Sequence, residues 1–275
     1  MDITNLKNIT GKNIIYFINS NTGFGSQITL YLYKSYYINK YINDSIIILP
    51  LWINNGTNFK YHEKNIENSF YLYFKNKKEI NYNEYNKYYI NIDNVNLNIF
   101  EPFFSFSIPI NNNIQNKIYL DFFREKYELN IGENIKEYIK NIRKENHKLI
   151  GIHIRSINQK IQHDKEYLNI NIKDRLINIK NKLEKNSIIF IATDTNVYIN
   201  YCKDIFDNFN YLDFISRIDN EEDSIPSLND NGFKLGSDII YDCLALSLCD
   251  KIYVSYSNIP YIVNILNKDI EMEEY

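Results

Sequence analysis

The chain has 275 residues, 44% of them hydrophobic and 24% charged, with a net charge of -3. That length accommodates one large α/β domain or two of roughly 130 residues, and the slightly acidic balance excludes nucleic-acid binding driven by bulk electrostatics. No apolar run approaches the roughly 20 residues that span a bilayer, and no amino-terminal signal segment stands out. A cytoplasmic protein is therefore expected, with any peripheral membrane association running through a partner.

Taken in chain order, the pattern is strand, turn, helix, repeated. Residues 13–18 form a short apolar strand, followed by Asn21-Thr22-Gly23-Phe24-Gly25 and a long helical pattern over 26–41. Residues 44–51 read as a second strand, closed by the Asn54-Asn55-Gly56 turn. The stretch 59–116 is less regular, rich in Tyr and Asn, with candidate strands at 69–74 and 88–92; runs such as Asn111-Asn112-Asn113 read as loop filler. Residues 121–127 and 133–145 read as helices. The second half is more regular. Strand 148–154 precedes a polar loop and a helix over 172–185, then strand 187–192 ends in Thr193-Asp194-Thr195, whose side chains can cap a helix over 196–206. Strand 211–215, a polar loop over 217–233, helix 237–249, strand 251–255, a last helix and an acidic tail complete the chain. Strands alternating with helices predict a mainly parallel sheet with right-handed crossovers, and the natural boundary falls near residue 146. Cys202, Cys243 and Cys249 form no CxxC pair, and two of them fall in an apolar helical segment, which suits reduced structural thiols.

Four segments can carry chemistry. Gly151-Ile152-His153-Ile154-Arg155 ends a buried strand with a histidine and an arginine two residues apart, on one face of the strand. The carboxyl ends of parallel strands are where α/β sheets bind ligands. Arg155 can hold a diphosphate through forked, permanently charged donors, and His153, set deeper, is placed to meet a base or ribose. The plain reading of the pair is a surface arginine and a satisfied core histidine. Gly23 and Gly25 sit between strand and helix, where backbone N–H groups can approach an anion at the positive end of the helix; an ordinary tight turn has the same sequence. Asp242 shares a helical stripe with Asp238, Ala245 and Cys249, either an exposed face or a carboxylate that accepts the two N–H donors of a guanine edge. Ser255-Tyr256-Ser257-Asn258 can bind phosphate oxygens or form a plain N-cap.

Together these residues resemble the fucosyltransferase superfamily of α1,6-, α1,2-, protein O- and nodulation fucosyltransferases. His153-Ile154-Arg155 matches its His-x-Arg signature, and Gly23-Phe24-Gly25-Ser26-Gln27 is similar to its Gly-x-Gly-Asn-Gln. Ile191-Ala192-Thr193-Asp194 is similar to its Ala-Thr-Asp strand end. Asp242-Cys243-Leu244-Ala245-Leu246-Ser247, followed by Asp250 and Ser255 to Asn258, resembles its last helix–strand–Ser segment. The match is strong over roughly residues 148–266. Two positions depart: Ser156 stands where the α1,6 branch has a second arginine, and Ser26 where the glycine motif has asparagine.

The resemblance implies a GT-B-like fold of two Rossmann-type lobes with mainly parallel sheets and an interlobe cleft. Residues 1–146 would form an acceptor-side lobe and residues 147–275 a nucleotide-sugar-binding lobe. It implies GDP-fucose as donor, a glycan or other hydroxyl acceptor, inversion at the anomeric carbon, and no metal or other cofactor. Arg155 would hold the β-phosphate, His153 and Asp242 the guanine, and Ser257 and Asn258 the diphosphate, with Asp194 in support. The loop after Arg155 supplies His163, Asp164 and Glu166 as groups able to take the acceptor proton, with His163 and Asp164 the choices made here; each also reads as a solvated loop residue. The alternatives are the same architecture using another nucleotide sugar, such as GDP-mannose, and a catalytically silent nucleotide- or glycan-binding domain.

Overall fold

The structure, a computed structural model, describes residues 11–19, 23–41, 46–53, 66–95, 114–155, 171–219, 232–255 and 257–275. It is an α/β protein with mainly parallel sheets, as the alternation of strands and helices predicts. Two compact units are present, Met1–Ile131 with Asn231–Gly236, and Gly132–Asp230 with Ser237–Tyr275.

The first unit contains β1 (Asn13–Ile18), α1 (Phe24–Tyr41), β2 (Ile47–Leu51), α2 (Phe70–Tyr73), β3 (Phe74–Asn76), β4 (Asn86–Asn91), α3 (Ile114–Lys126) and β5 (Tyr127–Leu129). Its main sheet is parallel, in the order β2-β1-β4, with Ile15 opposite Ile48 on one side and Tyr88 on the other. The outer edge of β2 is closed by side chains rather than by another strand. Asn39, Tyr31 and Asn68 donate to the carbonyls of Ile46, Ile48 and Pro50 at 2.8–2.9 Å, and Pro50 has no N–H to offer, a common protection for an exposed edge.

The segment 69–74 departs from the strand expected of it. Phe70 and Tyr73 lie on one turn of helix and Phe74 opens β3, which pairs antiparallel with β5. All three side chains are buried, a spacing of three and one that a helical turn satisfies and strand alternation does not. Asn68 Oδ1 starts the turn by accepting from the backbone N–H groups of Trp52 and Phe70. The abundant aromatic residues are this unit's core: Trp52 meets Phe24 and Phe70 edge-on at 5.2 and 5.3 Å, and Phe70 meets Tyr127 at 5.0 Å, separations favourable for aromatic pairs.

The second unit contains α4 (Glu133–Ile142), β6 (Lys148–Ile154), α5 (Ile172–Lys182), β7 (Ser187–Thr193), α6 (Asn196–Ile205), β8 (Lys251–Val254), α8 (Ile259–Leu266) and β9 (Glu271–Glu274). It also holds most of α7 (Gly232–Ser247), whose first five residues belong to the first unit. The expected boundary near residue 146 and this division differ by α4. That helix is tied to the second unit by the Tyr138 hydroxyl, which donates to the Tyr211 carbonyl at 3.1 Å, and just beyond it Arg143 pairs with Asp250 at 2.9 Å.

The sheet order is β7-β6-β8-β9, parallel throughout. The central strand β6 is buried from Leu149 to Ile154. At its middle, a Cβ on Gly151 would lie 2.8–3.0 Å from Leu246, Ile252 and Cys249, so α7 and β8 pack where a side chain would stand. All three cysteines are free and buried.

Two expectations are corrected here. The acidic tail is a strand, because Lys251 neutralises Glu271 and Glu273 at 2.8 Å each and Lys182 reaches Glu273 at 2.6 Å. Residues 211–215 do not form a strand. Asn210 alone bridges to Phe190, and the carbonyls of Leu212 and Ile215 turn onto the Arg217 guanidinium instead of a ladder partner. Among the described residues no helix is long and apolar enough to cross a membrane.

Candidate functional site

The carboxyl ends of β6, β7 and β8 bring several of the sequence-derived residues together. His153 is the penultimate residue of β6 and only 6% exposed. Its Nδ1 lies 3.3 Å from the Ser255 hydroxyl, just past the end of β8. The same hydroxyl accepts the Arg155 backbone N–H at 3.1 Å. One serine thus ties the histidine to the residue that turns the chain out of the sheet, and Arg155 emerges half-buried at that turn. The Tyr275 hydroxyl donates to the His153 carbonyl at 2.9 Å and so fixes the strand end from the β9 side. The plain reading of His153 as a histidine satisfied within the core is therefore met at Nδ1.

Asp194 follows β7. Its carbonyl accepts the Ile218 N–H at 3.0 Å, and Thr195 caps α6 through its hydroxyl on the Val197 N–H at 3.2 Å, as its sequence predicts. Ser257 does act as a cap, its hydroxyl accepting the Ile259 N–H at 3.0 Å, while Asn258 stands at the N-cap position of α8 without a side-chain cap bond. The capping reading therefore holds for Ser257, and one of its hydroxyl lone pairs is committed.

The α7 stripe is not a solvent face. Asp238, Ala245 and Cys249 are buried and Asp242 is half-buried. Asp238 accepts the Ser216 N–H at 3.0 Å. Asp242, one turn further on, has a fully enclosed Oδ1 with no hydrogen-bond partner. Burial pushes its carboxyl up to about 8, the Arg217 guanidinium opposes the shift, and Asp238 and Asp194 add to it. A carboxyl so placed is protonated at neutral pH until a ligand's positive or N–H edge reaches it.

Arg217 is the residue that sequence reading assigned no role. Its Nε donates to the Thr193 carbonyl at 3.1 Å and Nη1 to Leu212 and Ile215 at 2.7 and 3.3 Å, while the enclosed Nη2 has no partner. Tyr211 lies under its guanidinium at 5.2 Å. Its one sequence signal is an arginine set between the buried residues Ile215 and Ile218, a position where a charge must find several carbonyls.

Gly23 and Gly25 belong to the first unit. Gly23 is exposed, its carbonyl accepts the Gln27 N–H at 3.0 Å, and a Cβ there would meet nothing within 4 Å. α1 begins at Phe24, so Gly25 lies inside its first turn rather than in the preceding loop. His163 and Asp164 lie outside the described residues, and among the described residues no cluster of His, Cys, Asp and Glu has the makings of a metal site.

The second unit is thus a wholly parallel α/β layer with an arginine, a histidine, a serine and two carboxylates at the carboxyl ends of its strands. No protein-family profile matches the sequence and no curated protein matches it. The chain is similar to solved structures of the α1,6-fucosyltransferase NodZ, including the Bradyrhizobium protein. A form soaked with GDP-fucose is 15% identical, with 94% of this chain and 93% of that one covered and a TM-score of 0.48. A form co-crystallised with GDP is 15% identical over the same shares, with a TM-score of 0.49.

Proposed function

We propose that the protein is a glycosyltransferase that takes a GDP-sugar, with fucose as the transferred sugar and a glycan or other hydroxyl as acceptor. The observation that carries this reading is the grouping of Arg155, His153 and Ser255 at the carboxyl end of the central strand, with the unpartnered Asp242 carboxyl in the same unit. In the proposed roles Arg155 binds the β-phosphate, and Asp242, once ionised, accepts the two N–H donors of guanine. His153 completes the base contact, Ser257 and Asn258 adjoin the diphosphate, and Asp194 supports the strand end.

The reaction follows from those roles. The acceptor oxygen bonds to the anomeric carbon as the bond from that carbon to the β-phosphate oxygen breaks, which inverts the centre. The departing pair stays on GDP, where the Arg155 guanidinium stabilises the growing charge; loss of such a preorganised donor costs about 3–4 kcal/mol of barrier. The acceptor proton passes to His163 or Asp164, and no metal is invoked.

Coupled release of GDP during incubation with GDP-fucose, GDP-mannose and a glycan mixture tests the reading. GDP-fucose should turn over fastest. Faster turnover of GDP-mannose rejects the fucose assignment, and no turnover of any GDP-sugar rejects the enzyme in favour of a silent binding domain.

A further inference from the structure

The first unit holds a half-open cavity of about 570 Å³ that the proposed nucleotide site does not use. Its volume falls within the roughly 300–1,000 Å³ typical of small-molecule sites. One wall is residues 46–49 along the edge of β2, and Tyr85, Phe122 and Tyr127 supply an aromatic lining. Gly23 follows the carboxyl end of β1, whereas this cavity reaches β2 from its amino-terminal end.

Among the described residues, two polar groups beside the cavity are incompletely paired. Asn39 spends its amide N–H on the Ile46 carbonyl at 2.8 Å, while its enclosed Oδ1 has no donor. Lys126 is half-buried with Nζ 3.9 Å over the Phe122 ring, and among the described residues no carboxylate pairs with it. Burial pushes its ammonium down to about 8, with Glu125 opposing. A cation held over a ring gains some attraction from the ring face, but a half-buried charge without a counter-ion remains costly.

The remaining lining selects among anions. Lys78, Glu79, Glu84 and Glu125 also face the cavity, and Glu84 is engaged by Lys12 at 2.5 Å. Even against Lys78 and Lys12 the carboxylates are in excess by one, which disfavours a dianion such as phosphate more than a monoanion, and they offer acceptors to hydroxyl groups. Aromatic faces suit the C–H side of a hydroxylated ring. We propose that this cavity binds a hydroxylated monocarboxylate of the sugar-acid class, its carboxylate on Lys126 and its hydroxyls on the glutamates.

Calorimetric titration of the full-length protein with glucuronate at pH 8.5, in two buffers of different ionisation enthalpy, tests this. Binding should be accompanied by proton uptake, because a carboxylate beside Lys126 restores its proton. Glucose and inorganic phosphate should each bind at least about tenfold more weakly, the scale of one charge-assisted contact. Lys126→Met should weaken glucuronate by a similar factor and abolish the proton uptake. Saturating GDP should leave the titration unchanged, since the two sites are separate. No heat with glucuronate, equal binding of glucose, tighter binding of phosphate, or competition by GDP would each overturn the proposal. Should Lys126→Met fail to fold, the absence of proton uptake by the wild-type protein would overturn it equally.

Discussion

Asp242 holds its proton to about pH 8 because its carboxyl is enclosed, and Arg217 offsets that burial only in part. Its ordinary value is 3.8, so between about pH 4 and 8 the folded protein keeps a proton that the unfolded chain releases. Stability must therefore fall as pH rises through that window and level off above it. Asp242→Asn removes the effect. The variant should match the wild type in melting temperature at pH 4 and exceed it at pH 8.5 by the equivalent of about 1–3 kcal/mol; an equal difference at both pH values would contradict the enclosure. The same proton governs the proposed guanine contact. GDP affinity should rise from pH 6 to 8.5 with proton release on binding, and Asp242→Ala should erase the preference for GDP over ADP. The positions of His153 near a strand end and of Asp242 on a helix were legible in the sequence, from an apolar run of strand length and from helical spacing. Arg217 was not, since its role depends on three carbonyls, from Thr193, Leu212 and Ile215, that only the folded chain gathers.

At the scale of elements, β6 is the part least able to change. Gly151 lies where Leu246, Ile252 and Cys249 close over the strand. Gly151→Ala should cost about 1–3 kcal/mol, the usual range for overpacking a tight core, and a urea melt should show a lower midpoint with an unchanged slope; an unchanged midpoint would mean that α7 stands further off. The strands and helices of the second unit were readable because apolar runs of seven residues alternate with amphipathic segments. The failures have separate causes. Residues 70–74 place aromatic or apolar side chains at every position, so periodicity cannot separate strand from helix. The tail residues 271–274 hide an edge strand behind three glutamates, two of which, Glu271 and Glu273, Lys182 and Lys251 neutralise from elsewhere in the chain. In 211–215 a single guanidinium outcompetes the ladder for two carbonyls.

For the molecule as a whole, the α/β class and its parallel sheets follow from the order of elements, whereas the division at Ile131 depends on contacts of α4 that no local pattern announces. A ligand that binds only the folded chain stabilises it by about 2.7 kcal/mol at a hundredfold excess over its Kd. In a thermal-shift panel, GDP and GDP-sugars should therefore raise the melting temperature, while ADP and UDP should leave it near the ligand-free value. The central claim, that the carboxyl ends of the second unit's strands hold a guanosine diphosphate, is tested most directly by calorimetric titration of GDP into the wild-type and Arg155→Ala proteins at pH 8. The account predicts one saturable site in the wild type and a loss of at least about tenfold in affinity in the folded variant. Equal GDP affinity in the two proteins, or none in the wild type, would contradict it.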